Sequence, residues 1–288
     1  MLKRVRRGWP QVVFMVGLLL ISHVRAADAD CPTPVRVQLD LHAPSAYLDA
    51  SKQVRGMDAE LVSAIFRQAN CPYEFSLTPM TGARTLKSLE DGDIDLMIRA
   101  SKTAEREQYA YFTDAYRQEV VGVFSRKSLN LPTSLTLTRA LQMGLRLIGP
   151  ASGFYGDDFE QLRQGWRDRE LYTAYPDAKV ATELLFATPS RGELMLVDAD
   201  IFFYYAGAGR LADIQQIGSW LHITPAHLML SKKTSSPALI KRLNQAIATL
   251  SQNGELRRIE QRYRPELLRL LLQRHAQNAV LKGSKTLK

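Results

Sequence analysis

Cysteine is scarce in this chain: two residues, Cys31 and Cys71, among 288. The five histidines are scattered, and His, Cys, Asp and Glu never fall at metal-ligand spacing. No Ser/His/Asp set and no paired carboxylates stand out, so the sequence offers no catalytic motif and implies no cofactor. Glycine never forms the regular pattern of a phosphate loop. Basic and aromatic residues are not interleaved as on a nucleic-acid-binding face, so no nucleic acid partner is expected. Internal repeats and low-complexity segments are absent too. The apolar run Val12 to Ile21 is too short to span a bilayer comfortably.

What is present is the composition of an ordinary globular protein, 45% apolar and 23% charged, long enough for one large domain or two medium ones. Residues 1–26 read as a secretory signal peptide. Lys3, Arg4, Arg6 and Arg7 form its positive start, Val12 to Ile21 its apolar run, and Val24-Arg25-Ala26 its cleavage region. An uncleaved amphipathic anchor is the alternative. Asp30-Cys31 lacks the small apolar residues that precede a lipid-modified cysteine. The expected location is the periplasm.

Export changes the meaning of the charge. The formal balance is +9, and the signal holds five cations and no acid, which leaves +4. From Arg264 onward six cations face only Glu266, so the body between carries −1. The basic character belongs to the two ends. In an oxidising compartment the cysteine pair predicts a disulfide. Cys31 precedes the strand Val35–Leu41 and Cys71 the strand Tyr73–Leu77. Strands joined by a helix lie side by side and parallel, which puts both cysteines at one end.

One stretch dominates the reading. Leu86 and Leu89, three apart and followed by Gly92, predict a helix ending at that glycine. The strand Ile94–Ile98 comes next, and past its end crowd Arg99, Ser101, Lys102, Thr103, Glu105 and Arg106. Ligands of open α/β sheets sit at that end of a strand. Arg106, at the start of a new helix capped by Ser101 or Thr103, predicts a carboxylate receptor.

The order Leu89, Gly92, Ile94-Asp95, Leu96 to Ile98, Ser101, Thr103, Arg106, Tyr111-Phe112-Thr113-Asp114 and Tyr116 resembles the extracellular solute-binding proteins of family 3. These are periplasmic receptors that feed polar amino acids and related compounds to ABC importers. Gly56-Met57-Asp58-Ala59-Glu60-Leu61 resembles the start of that family's first helix, with Asp58 as its N-cap. The resemblance, over about residues 34 to 264, implies an α/β fold of two lobes. Each lobe is a mixed, mostly parallel sheet flanked by helices, and a two-strand hinge joins them. We expect the first lobe at 27–126 with 218–264, the second at 127–217, and a basic helical extension at 265–288. Leu267, Leu268, Leu271 and Leu272 give that extension an apolar face, to pack on the body or to lie on a membrane surface, packing being favoured.

By the same resemblance Arg106 and Ser101 hold a carboxylate from the first lobe, and an aspartate after the strand Leu194–Val197 holds an ammonium from the second. Counting from Gly192, that aspartate is Asp200, with Asp198 as the fallback. His42 or Tyr47 takes the place of a stacking aromatic. Arg84 and Arg99 are further candidate contacts. Ser152, in the Gly149–Gly156 turn, offers either an anion site or ordinary turn chemistry, the latter favoured. The chain is expected to bind an amino-acid-like solute as a monomer and to serve an ABC permease or a sensor membrane protein. A sensor or interaction protein with this fold is the alternative. A periplasmic dehydratase of the same fold is disfavoured, because Phe203 stands where its catalytic Glu would be.

Overall fold

The computed structural model of the chain describes residues 31, 33–151, 155, 157–175 and 177–285. The expected signal peptide and Ser152 lie outside the described residues. The chain first runs β1 (Val35–Gln38), β2 (Tyr47–Leu48), β3 (Val54–Arg55), α1 (Met57–Ala69), β4 (Tyr73–Ser76), α2 (Gly82–Asp91), β5 (Leu96–Ala100) and β6 (Ala110–Phe112). It crosses on β7 (Arg117–Arg126) and continues through α3 (Leu137–Gln142), β8 (Leu147–Pro150), α4 (Asp157–Asp168), β9 (Tyr172–Tyr175), α5 (Ala178–Phe186), β10 (Leu194–Asp198) and α6 (Ala199–Ala206). It returns on β11 (Ile214–Ser231) and ends in α7 (Pro237–Gln252), α8 (Glu255–Tyr263) and α9 (Glu266–Lys285).

Two lobes result. In the first, β1 pairs in parallel with β4 and β5. In the second, β8 pairs in parallel with β9 and β10. The long strands β7 and β11 pair antiparallel; β11 also pairs with β5 of the first sheet and β7 with β10 of the second, so the two form the hinge. Local chemistry sets the element ends. Thr81 caps α2 by accepting the Arg84 N–H, and Gly92 closes it at φ 85°. Gly56, at φ 124°, has no room for a side chain: a Cβ there would sit 2.4 Å from the Ser45 carbonyl oxygen. Gly56 is therefore the residue before α1, and Asp58 is not its N-cap as expected.

Asp58 instead turns inward. Its buried carboxylate accepts from Ser45 Oγ and Tyr116 OH at 2.6 Å, and from Arg117 Nε and Nη2 at 2.6 and 2.9 Å. Burial opposes its charge, but Arg117 outweighs burial and holds its pKa down to about 2. The first helix is thereby tied to the first residue of the hinge strand.

The disulfide Cys31–Cys71 is present, with Cα atoms 5.4 Å apart. It joins the approach to β1 to the approach to β4, at one end of a parallel pair. The tail packs on the body. Leu256 and Ile259 of α8 lie in the first-lobe core, whereas Leu268 of α9 is buried among Phe202, Trp220 and Ile214 of the second. Among the described residues no helix is long and apolar enough to cross a membrane.

Candidate functional site

Two adjoining cavities open where the lobes meet. The inner one, about 210 Å³, is walled by Gln38, Asp40, Thr85 and Met97. The outer one, about 510 Å³, is walled by Tyr155, Tyr175, Asp177, Asp198 and Tyr205. His42, Arg99 and Glu119 border both. Wider hollows exist, including one of about 820 Å³ beside Cys31 and Arg36. That hollow lies on the first lobe alone, and its Asp95 is already paired with Arg36 at 2.7 Å. The junction brings charged groups of both lobes and the hinge to the wall of one open space, so we assign the candidate site there.

Arg99 occupies the centre. It lies in β5 with φ 56°, a left-handed conformation rare for a residue with a Cβ. The ladder to β11 is irregular at the same place, between His227 and Met229. That break lets the side chain leave the strand face and reach the junction, at a backbone cost on the order of 1–3 kcal/mol. Its Nη2 donates to Glu119 of β7, and lies 3.5 Å from Asp198 Oδ2 at the end of β10. First lobe, hinge and second lobe thus meet in one charge cluster.

The two carboxylates share the guanidinium unequally. Burial works against the charge of Glu119, but Arg99 prevails and its pKa is lowered. Asp198 is farther from Arg99, and burial raises its pKa to about 7. Its Oδ1 caps α6 by accepting the Ile201 N–H at 3.1 Å, while among the described residues Oδ2 has the long approach of Arg99. Burial also lifts the phenols, Tyr155 to about 12, so Tyr155, Tyr175 and Tyr205 are neutral hydroxyls and apolar rings. Among the described residues no three His, Cys, Asp or Glu side chains are placed to hold a metal ion.

A sequence profile of the bacterial extracellular solute-binding proteins, family 3, matches residues 35–266. The chain belongs to that family. Several solved structures share its shape. A histidine kinase sensor domain with similarity to periplasmic binding proteins superposes with a TM-score of 0.62 at 18% identity, covering 81% of this chain and 96% of that one. An ancestral arginine-binding protein bound to arginine gives 0.60 at 18%, covering 81% and 98%. The second substrate-binding domain of Lactococcus lactis GlnP, in an open conformation, gives 0.58 at 19%, covering 82% and 96%. At such identities the likeness establishes the fold alone. No curated protein sequence matches the chain.

The residues expected at the site divide between the cavity walls and other surroundings. His42 and Arg99 border both cavities. Arg106 does not: it sits in a single 3-10 turn, Arg106–Gln108, rather than a new helix, and its Nη1 donates to the Ser101 carbonyl at 3.0 Å. Ser101 and Arg84 are exposed and outside both walls; Thr85, one residue on, is the α2 residue that reaches in. Tyr47 packs near Tyr204 at a centroid distance of 6.4 Å, away from the cavities. Asp200 points backward. Arg264 Nε and Nη2 donate to its two oxygens at 2.7 and 2.9 Å, and only 6% of it is exposed. The groups that face each other at the junction are Arg99 and Asp198, 3.5 Å apart, rather than the expected Arg106 and Asp200. In the second lobe the physical reason is that the strand stops at Asp198 and a helix start turns Asp200 away from the cleft.

Glu119, Asp40, Asp177 and the three tyrosines escaped the sequence reading. One signal was available for Glu119, a lone acid heading the apolar run Val120 to Phe124. Asp177 has the ordinary look of a helix cap, and it does cap α5, accepting the Val180 N–H at 2.9 Å.

Proposed function

We propose that this chain is a periplasmic receptor whose lobes close on one small polar solute bearing an ammonium group, an amino acid or a related amine. The observation that carries this is the opposed set at the junction, Arg99 from the first lobe and Asp198 from the second, beside a cavity of about 510 Å³. Asp198 Oδ2, whose approach from Arg99 is 3.5 Å, lacks a shorter partner among the described residues and is the natural seat for the ammonium. Tyr155, Tyr175 and Tyr205 supply apolar rings for the solute's body. Contacts made to both lobes at once exist only in the closed form, so solute shifts the population toward closure. Closure is the signal that an ABC permease reads.

The binding reading is favoured over a catalytic one. Phe203, at the position expected to carry a dehydratase's acid, is buried with Phe124 and Phe202 in the second-lobe core. A sensor membrane protein as the alternative partner is favoured by the packed extension α9, which lies beyond the two lobes.

A thermal-shift screen of amino acids, polyamines and small acids tests the receptor reading, with calorimetry on each hit. We expect at least one ligand to stabilise the protein, and Asp198→Asn to weaken its binding by tenfold or more. A screen without a hit, or unchanged affinity in the variant, defeats the assignment.

A further inference from the structure

The charges at the junction do not balance. Asp40, Glu119, Asp177 and Asp198 border the cavities, with Arg99 the guanidinium among them. Arg99 is not a vacant charge: its Nη2 donates to Glu119 and lies 3.5 Å from Asp198, although its buried Nε has no hydrogen-bond partner among the described residues. Arg106 is turned onto the Ser101 carbonyl and lies outside both walls. A solute carboxylate entering here would meet an excess of acids, with the one guanidinium among the described wall residues already shared by Glu119 and Asp198.

Gln38 adds an independent observation. It lies on β1 in the wall of the inner cavity and is 2% exposed. Its Nε2 donates to the Thr78 carbonyl at 2.7 Å, which fixes the orientation of the amide. The Oε1 is then the atom left over, and it has no hydrogen-bond partner among the described residues. A buried acceptor left unmet costs stability, and a donor on a solute would meet it. The inner cavity thus asks for a donor, and so does Asp198 in the outer one, where three aromatic rings stand near the carboxylate. Aromatic faces beside a carboxylate suit an organic cation.

We propose, resting on the receptor reading above, that the solute is an elongated organic cation that needs no carboxylate. One amine or guanidine end lies against Asp198 among Tyr155, Tyr175 and Tyr205, and a second donor reaches Gln38 Oε1. Glu119 stands in for the missing carboxylate by neutralising Arg99 between the two ends. Recognition of an amino acid's backbone is in this view replaced by recognition of two donors.

The decisive comparison is agmatine against L-arginine, which differ by the carboxylate, with putrescine, L-glutamine and L-glutamate alongside, by calorimetry on the full mature chain at pH 8. We expect agmatine or putrescine to bind at least tenfold more tightly than glutamine and glutamate, and agmatine no more weakly than arginine. If arginine binds tenfold more tightly than agmatine, or glutamine or glutamate binds best, the receptor reading stands and this inference falls. If none of the five binds while the wider screen finds another solute, the outcome is the same. If no solute binds at all, both fall. Gln38→Leu should weaken agmatine by about tenfold or more, the loss of a hydrogen bond to a charged group. An unchanged affinity in a variant that melts like the parent overturns the role of Gln38. Should that variant not fold, the comparison of agmatine with arginine on the parent protein still decides.

Discussion

Asp198 serves two ends that conflict. Its backbone position makes it the cap of α6, and its burial penalises the charge that a solute cation would seek. The consequence for stability has a definite sign. Its folded pKa, about 7, lies above the ordinary value of 3.8, so the folded chain holds this proton more tightly than the unfolded chain. This residue's contribution is fully present below about pH 4, shrinks as pH rises toward 7, and is level above that. Asp198→Asn keeps a good capping side chain and removes the ionisation. In the solute-free protein we expect this variant to melt several degrees higher than the parent at pH 8, and the gap to vanish near pH 4. Scanning calorimetry at the two pH values checks it; a gap that does not change with pH would mean that Asp198 titrates normally. The same variant should lose solute binding, and such a gain in stability with loss of affinity marks a residue kept for function. Arg99 is a second residue of that kind, held in a left-handed backbone conformation at the site rather than in a turn.

Among the elements, α9 has the clearest energetic role. Leu268 is 1% exposed, and Leu267, Leu271 and Leu272 pack around it against the second-lobe core. Leu268→Ala should cost about 2–5 kcal/mol, read from the denaturant midpoint. A cost under about 0.5 kcal/mol would mean that the helix is not docked. The leucine spacing had marked this segment as amphipathic, but periodicity names a face and not what covers it, which is why a membrane surface remained open in the sequence. An element end set locally was legible: Gly92 closes α2, as its place three residues after Leu89 predicts. The facing pair was not. Arg99 reaches the cleft through a break in strand pairing that involves β11, more than a hundred residues away, and no local spacing encodes that. The count from Gly192 to Asp200 was sound as a count, yet what decides which aspartate faces the cleft is where β10 stops.

At the scale of the molecule, buried charges run from one lobe to the other. Asp58 of α1 binds Arg117 of β7; Arg117 Nη1 lies 3.9 Å from Asp200 of α6; Asp200 is held by Arg264, which also donates to Glu260 of α8 at 2.9 Å. Removing one partner of a buried pair strands the other, at about 3–5 kcal/mol. We expect Arg264→Ala to destabilise by that amount, and Arg264→Met with Asp200→Leu to recover much of it. A chemical denaturation series on the parent, Arg264→Ala, Arg264→Met, Asp200→Leu and the double variant checks this, and a double whose cost equals the sum of the two singles would deny the coupling. The chain also spans the lobes a third time, since α8 is rooted in the first core and α9 in the second. A clamp whose jaws share two flexible ribbons can swing wide, whereas a rod laid across its spine limits the swing and stores the bending. The resting protein is thereby kept near the grip it needs, and little of the solute's attraction is spent on travel.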